Sequence, residues 1–163
     1  MLKLCVSLAL FAFATAPVAA QARPAQTSLQ GVWRPVEVRM GAADSAGTAS
    51  QPGLYIFTGR HYSIIRVTSA APRADVPADL NQATAAQLIA SWNPFTANSG
   101  TYQVSGSELM TNPVVSKDPP SMSPGAFVAY DFALKGDTLT LTPTRVMAGP
   151  ITRPTTIRLV RVE

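Results

Sequence analysis

The sequence predicts an all-β fold, an antiparallel barrel of about eight strands with one helix inserted at residues 79–92. Three observations carry this. The segments 29–40, 54–58, 62–68, 100–104, 108–115, 127–134, 138–142 and 155–162 each have strand-like patterning and are bounded by turn residues. Glycine-containing turns at 59–60, 105–107 and 135–137 join three pairs of them tightly enough to make antiparallel hairpins. Only one stretch has convincing helical composition. Strand alternation alone is shared by barrels and sandwiches, so the closure of the sheet stays open at this level.

The elements follow in order. Residues 29–40 form the first strand, although Pro35 interrupts it; proline cannot donate to a ladder, so it marks an edge, a bend or a bulge. A loop of small residues, 42–50, leads to the second strand, and the third returns after Gly59-Arg60. Residues 70–77 hold two prolines and connect to the helix. There Ala83, Ala86, Gln87, Leu88 and Ala90 favour helix, Asp79 or Thr84 suits the first turn, and Asn93-Pro94 ends it. In the second half Leu139 and Leu141 alternate with Thr138, Thr140 and Thr142, the cleanest half-buried strand pattern in the chain.

The N-terminus reads as a cleavable secretion signal, residues 1–22. Lys3 supplies the positive start, residues 4–16 an apolar run, and either Val18-Ala19-Ala20 or Ala20-Gln21-Ala22 the small residues that a signal peptidase needs. The run is shorter than the roughly 20 residues a spanning helix requires, so no spanning membrane segment is expected after cleavage. The protein is thus expected to be exported, periplasmic or extracellular. Residues 23–28 form an N-terminal extension and 29–163 the barrel domain. The single cysteine, Cys5, leaves with the signal, which removes disulfides, thiolate catalysis and Cys-based metal sites together.

The chain carries 13 Lys+Arg against nine Asp+Glu, but the arginines are scattered rather than gathered into a basic stripe with interleaved aromatics. No nucleic-acid partner is expected. His61 is the only histidine and abuts a turn, where a solvated role fits better than metal ligation. With no cysteine, one histidine and no nucleophile elbow, a hydrolytic triad has almost no material. No catalytic residue, cofactor or metal site is assigned.

Several inward positions remain. Tyr102 and Val104 share one strand face, Tyr130 and Phe132 another, and both pairs suit a core or cavity lining. Arg66 shares a face with Tyr62 and Ile64, from which it would pair a ligand carboxylate; Ser63, Ile65 and Val67 make an equally good inner face. Trp33 has the size to plug one end of a barrel. Arg66, Tyr102, Tyr130 and Phe132 are therefore the candidate ligand-binding residues.

Gly31-Val32-Trp33-Arg34, followed by Leu54-Tyr55-Ile56-Phe57-Thr58-Gly59-Arg60, resembles the start of the bacterial lipocalin-like domain family within the calycin barrels. Ser99-Gly100-Thr101-Tyr102-Gln103-Val104-Ser105-Gly106 is similar to its middle section. Phe132-Ala133-Leu134-Lys135-Gly136-Asp137-Thr138-Leu139-Thr140-Leu141 resembles its late hairpin. The likeness spans residues 29–163. It implies a structural trio of Gly31, Trp33 and an arginine of the last strand packed over the indole. Arg161 fits, since it shares a face with Ile157 and Leu159 while Arg158 points away. Pro35 departs from the family's pattern. Thr111-Asn112-Pro113 lacks the histidines often found on that strand, so no histidine role passes to this chain.

The functional expectation is binding of a small apolar or amphipathic ligand in the barrel. A structural or protein-interaction module with a filled core is the alternative, and a barrel-type isomerase, cyclase or hydrolase the second. Extractable ligand would separate the first from the second; polar residues facing each other across the interior would favour the third.

Overall fold

The computed structural model describes residues 29–41 and 47–163. The signal read at residues 1–22 and the extension at 23–28 lie outside the described residues. Ten strands carry the described fold: β1 (Gly31–Met40), β2 (Thr48–Ala49), β3 (Gly53–Phe57), β4 (His61–Val67), β5 (Phe95–Ser105), β6 (Glu108–Ser116), β7 (Val128–Lys135), β8 (Thr138–Val146), β9 (Gly149–Pro150) and β10 (Thr155–Arg161). Each strand pairs antiparallel with its neighbour along β10–β1–β3–β4–β5–β6–β7–β8, and β8 pairs with β10 in turn. That last pairing, Ile157 opposite Leu141 and Leu159 opposite Leu139, closes an eight-stranded barrel. A sandwich is excluded. β2 and β9 are short additions outside the ring.

The connections differ at the two ends. Phe57/His61, Ser105/Glu108 and Lys135/Thr138 are joined by tight turns, with Gly106 and Gly136 supplying positive φ of 58° and 56°. All the long connections, 41–52, 68–94, 117–127 and 147–154, gather at the opposite end.

The helical segment divides. Asp79 accepts from the Asn81 N–H and starts a 3₁₀ turn, Leu80–Gln82. Thr84 then caps α1 (Ala85–Trp92), with a reciprocal bond between its backbone N–H and Gln87. The continuous helix expected over 79–92 is therefore two elements, because both capping residues act rather than one. β5 also begins five residues before the expected Gly100. Its first half pairs fully with β4, from Val67 opposite Phe95 to Ser63 opposite Ser99, although Phe95–Ser99 has little strand patterning of its own.

Three prolines sit inside the eight barrel strands, and each adjoins a bulge. Pro35 precedes an extra residue, Val36, in the β1–β10 ladder. Pro113 precedes Val114 in β5–β6, and Pro143 precedes Thr144 in β7–β8. The missing N–H and the unpaired residue thus fall together, which keeps the cost local. The bulge also resets the alternation. Trp33 and Pro35 point inward, so an unbroken strand would turn the Glu37 carboxylate into the barrel; after Val36 it faces outward to Arg158.

The inward faces converge on Trp33, Tyr55, Phe57, Leu109, Leu139, Leu141 and Leu159, all fully buried. Burying side chains of this size contributes about 1.5–3 kcal/mol each.

Candidate functional site

The tight-turn end is sealed. The Trp33 indole N–H donates to the Leu29 carbonyl at 2.9 Å, and the ring is completely buried. Arg161 lies over it with its guanidinium carbon 4.1 Å from the ring centroid. The same guanidinium donates to the Gln30 carbonyl at 2.6 Å and approaches Asp137 at 3.4 Å. Gly31 makes this possible: its φ is 132°, and a Cβ there would collide with the Glu163 carbonyl oxygen and the Arg161 side chain. Leu29, Trp33 and Arg161 therefore form a floor.

Just above it Tyr102 packs edge-to-face on Phe57, centroids 5.3 Å apart, and donates its hydroxyl to the Thr58 carbonyl at 2.7 Å. This sequence-selected residue holds the β3–β4 turn, and its hydroxyl is already used. Phe132 is half-buried on the inner side of β7, opposite Leu141, and packs against the core.

Towards the long-loop end the interior becomes polar. Of the two possible inner faces of β4, the structure uses Tyr62, Ile64 and Arg66; Tyr62 and Ile64 are buried while Ile65 is exposed. Gly53 lies opposite Arg66, and a Cβ there would come within 2.7 Å of the Arg66 Cβ and 3.0 Å of the buried Pro35 ring. Among the described residues the Arg66 guanidinium makes no ion pair and no hydrogen bond. Its charge reaches two phenols. Burial pushes the Tyr55 hydroxyl above the ordinary tyrosine value, and Arg66 works against that rise; Tyr130 follows the same pattern. Tyr62 is also pushed up by burial, and its hydroxyl is fully enclosed with no hydrogen-bond partner. The Thr111 hydroxyl lies close to the Tyr62 and Tyr130 phenols and works against the rise that burial causes in both, while its own proton goes to the Val128 carbonyl at 3.2 Å.

The structure thus brings Arg66 and Tyr130 together and leaves Tyr102 and Phe132 nearer the floor. Tyr55, Tyr62 and Thr111 complete the group, and none was selected from the sequence as a site residue. The β3–β4 hairpin held the missing signal. Its register sets Tyr55 opposite Ile64 and Phe57 opposite Tyr62, so one inward aromatic on β3 fixes the inner face of β4.

Four hydroxyls, one guanidinium and apolar walls can take up a molecule with an anionic or hydrogen-bonding head and an apolar body. The group offers no metal set: among the described residues no three His, Cys, Asp or Glu side chains gather at metal-binding spacing. His61 is exposed at its turn. Outside the wall, Glu37, Arg39, Thr140, Thr142, Thr156 and Arg158 line a groove of about 330 Å³. Glu37 there is held below the usual carboxylate range, first by its hydrogen bond from Arg39 and then by that from Arg158. These charges satisfy one another.

No protein-family model matches the chain, and no curated protein matches it. Among solved structures it is similar to a lipocalin-like protein from Bacteroides uniformis, at 15% identity and a TM-score of 0.45. The likeness covers 82% of this chain and 97% of that one.

Proposed function

We propose that this is an exported protein that holds one small amphipathic molecule in the upper half of its barrel, with an anionic head at Arg66 and an apolar body along the wall. One observation carries the reading. Arg66 faces the interior without an ion-pair partner, close to the Tyr55 and Tyr130 phenols, and the Tyr62 hydroxyl on the same inner face of β4 is buried without a hydrogen bond. Leaving a buried polar group unmatched costs about 1–3 kcal/mol, and native structures keep few such groups unless something else meets them. A carboxylate supplies two acceptor oxygens to a guanidinium in matching geometry. The filled floor restricts the occupant to something short, since eight strands enclose little free space.

Export is supported by the charged start, the apolar run and the small-residue exit over residues 1–22. The ligand would then be met in the periplasm or outside the cell. Protein purified from its own envelope provides one experiment for both parts. Its N-terminus should be Gln21 or Arg23, and native mass spectrometry should find an extractable anion of one copy per chain. After delipidation, a fluorescent fatty-acid probe should bind at about one per chain, and Arg66→Ala should weaken carboxylate ligands roughly tenfold more than neutral analogues. Absence of both extracted and added ligand would leave the filled-core interaction module in its place. An intact Met1 would overturn export.

A further inference from the structure

Among the described residues, Tyr62 is the one side chain that ends in a buried polar atom without a hydrogen-bond partner. The residue is 3% exposed. Its place in the ladder explains how the hydroxyl comes to lie so deep. β4 turns Tyr62, Ile64 and Arg66 inward, and the residue opposite Tyr62 on β5 is Gly100. Glycine brings no side chain, so the phenol reaches across β5 to the buried Thr111 of β6. Thr111 has already given its proton to the Val128 carbonyl and has none to offer the phenol oxygen. Native structures keep few such unmatched groups, and each calls for a reason.

The hydroxyl also stands apart from the cation. Arg66 lies four residues further along the same strand, about 13 Å at about 3.3 Å per residue, with the apolar Ile64 between. The guanidinium opposes the rise of the Tyr55 and Tyr130 hydroxyls, whereas Tyr62 does not feel it. The interior therefore carries two polar points at different depths. Arg66 with Tyr55 and Tyr130 forms the one towards the long loops, and Tyr62 with Thr111 forms the one nearer the floor. Burial raises the Tyr62 phenol, so it keeps its proton and serves as a donor. A plain anionic chain would answer only the first point.

We propose that Tyr62 selects the ligand: an acid whose chain carries a hydroxyl or keto oxygen some way below the carboxylate, the Tyr62 hydroxyl donating to that oxygen while Arg66 pairs with the carboxylate. This rests on the interior site proposed above and adds its substrate class, a hydroxy or oxo fatty acid in place of a plain one. Binding alone is involved, with no bond made or broken in the ligand.

Displacement of the fluorescent fatty-acid probe tests this, with decanoate and its hydroxy and oxo derivatives, which differ only in the position of the added oxygen. An oxygen at one place on the chain should improve displacement about tenfold over decanoate, and an oxygen elsewhere should not. In Tyr62→Phe that ratio should fall to about one, and in Arg66→Ala all the acids should weaken while the ratio stays. Tyr62→Phe removes a single oxygen that nothing in the free barrel bonds, so the ligand-free variant should melt at or above the wild type. A lower melting temperature would mean that the hydroxyl is met within the free barrel, and would overturn the inference. Equal displacement by every acid, or a ratio that survives in Tyr62→Phe, would overturn it while leaving the interior site standing. If neither the probe nor any acid binds, the site and the inference fall together.

Discussion

Removing the Trp33 ring is the sharpest perturbation of the barrel floor. The indole is fully buried, its N–H is bonded to the Leu29 carbonyl, and one face of its ring carries Arg161. Truncating a buried tryptophan to alanine costs about 3–5 kcal/mol, a large part of the 5–15 kcal/mol that a typical domain possesses. Arg161→Ala should cost less, about 1–2 kcal/mol. It forfeits a cation–π contact worth about 0.5–2 kcal/mol and a bond to the Gln30 carbonyl. Its pair with Asp137 adds little, because Asp137 is 84% exposed. The two side chains touch, so the double variant should be less destabilised than the sum by about 0.5–2 kcal/mol. Urea denaturation followed by circular dichroism measures all three without needing tryptophan emission. At about 3 °C per kcal/mol for a domain of this size, Trp33→Ala should melt roughly 10–15 °C lower. A loss below about 1 kcal/mol for Trp33→Ala, or strict additivity in the cycle, would refute the floor as drawn.

Two pH responses follow from the charged and phenolic groups. Glu37 is held below its ordinary value of 4.5 by Arg39 and Arg158, so its contribution is present above that value and is lost as pH falls through the folded one. Glu37→Gln should flatten the loss of stability between about pH 6 and about pH 3; an unchanged slope would mean the network stabilises nothing. Tyr55, Tyr62 and Tyr130 are raised above 10.0 by burial, so their contribution holds below that pH and disappears as it climbs towards the folded values. Tyrosinate absorbance should show these three of the four tyrosines ionising together with loss of the β-sheet signal. Ionisation near pH 10 with the barrel intact would place them in water instead. Gly31→Ala should destabilise by more than about 1 kcal/mol, since both the positive φ and the adjacent carbonyl oppose a side chain; wild-type melting would show that the strand start can move aside.

Much of this chain was legible before folding. Alternation and turn glycines placed all eight barrel strands, and Pro35 signalled an irregularity in β1 where the ladder slips at Val36. The missing half of β5 shows the limit. Phe95–Ser99 is a strand because β4 offers it a full ladder, which is a property of the partner and not of the segment. Arg66 shows another. Its strand has two plausible inner faces, and a one-residue choice decides whether the guanidinium meets water or the interior. The register against β3 makes that choice by turning Tyr55 inward opposite Ile64.

By itself, then, the sequence determined the strand content, the hairpins, the helix caps and the positions where no ladder bond is possible. These depend on residues within a few positions of one another, through side-chain alternation, φ preference and the presence or absence of an N–H. Only the tertiary structure decided that β8 meets β10, that Arg161 covers Trp33 across more than a hundred residues, and that Arg66, Tyr62, Tyr130 and Thr111 share one space. It also decided that most exposed large apolar residues gather at the long-loop end. Closing a sheet brings residues together by register and strand tilt summed around the whole ring, a quantity no local stretch of chain contains.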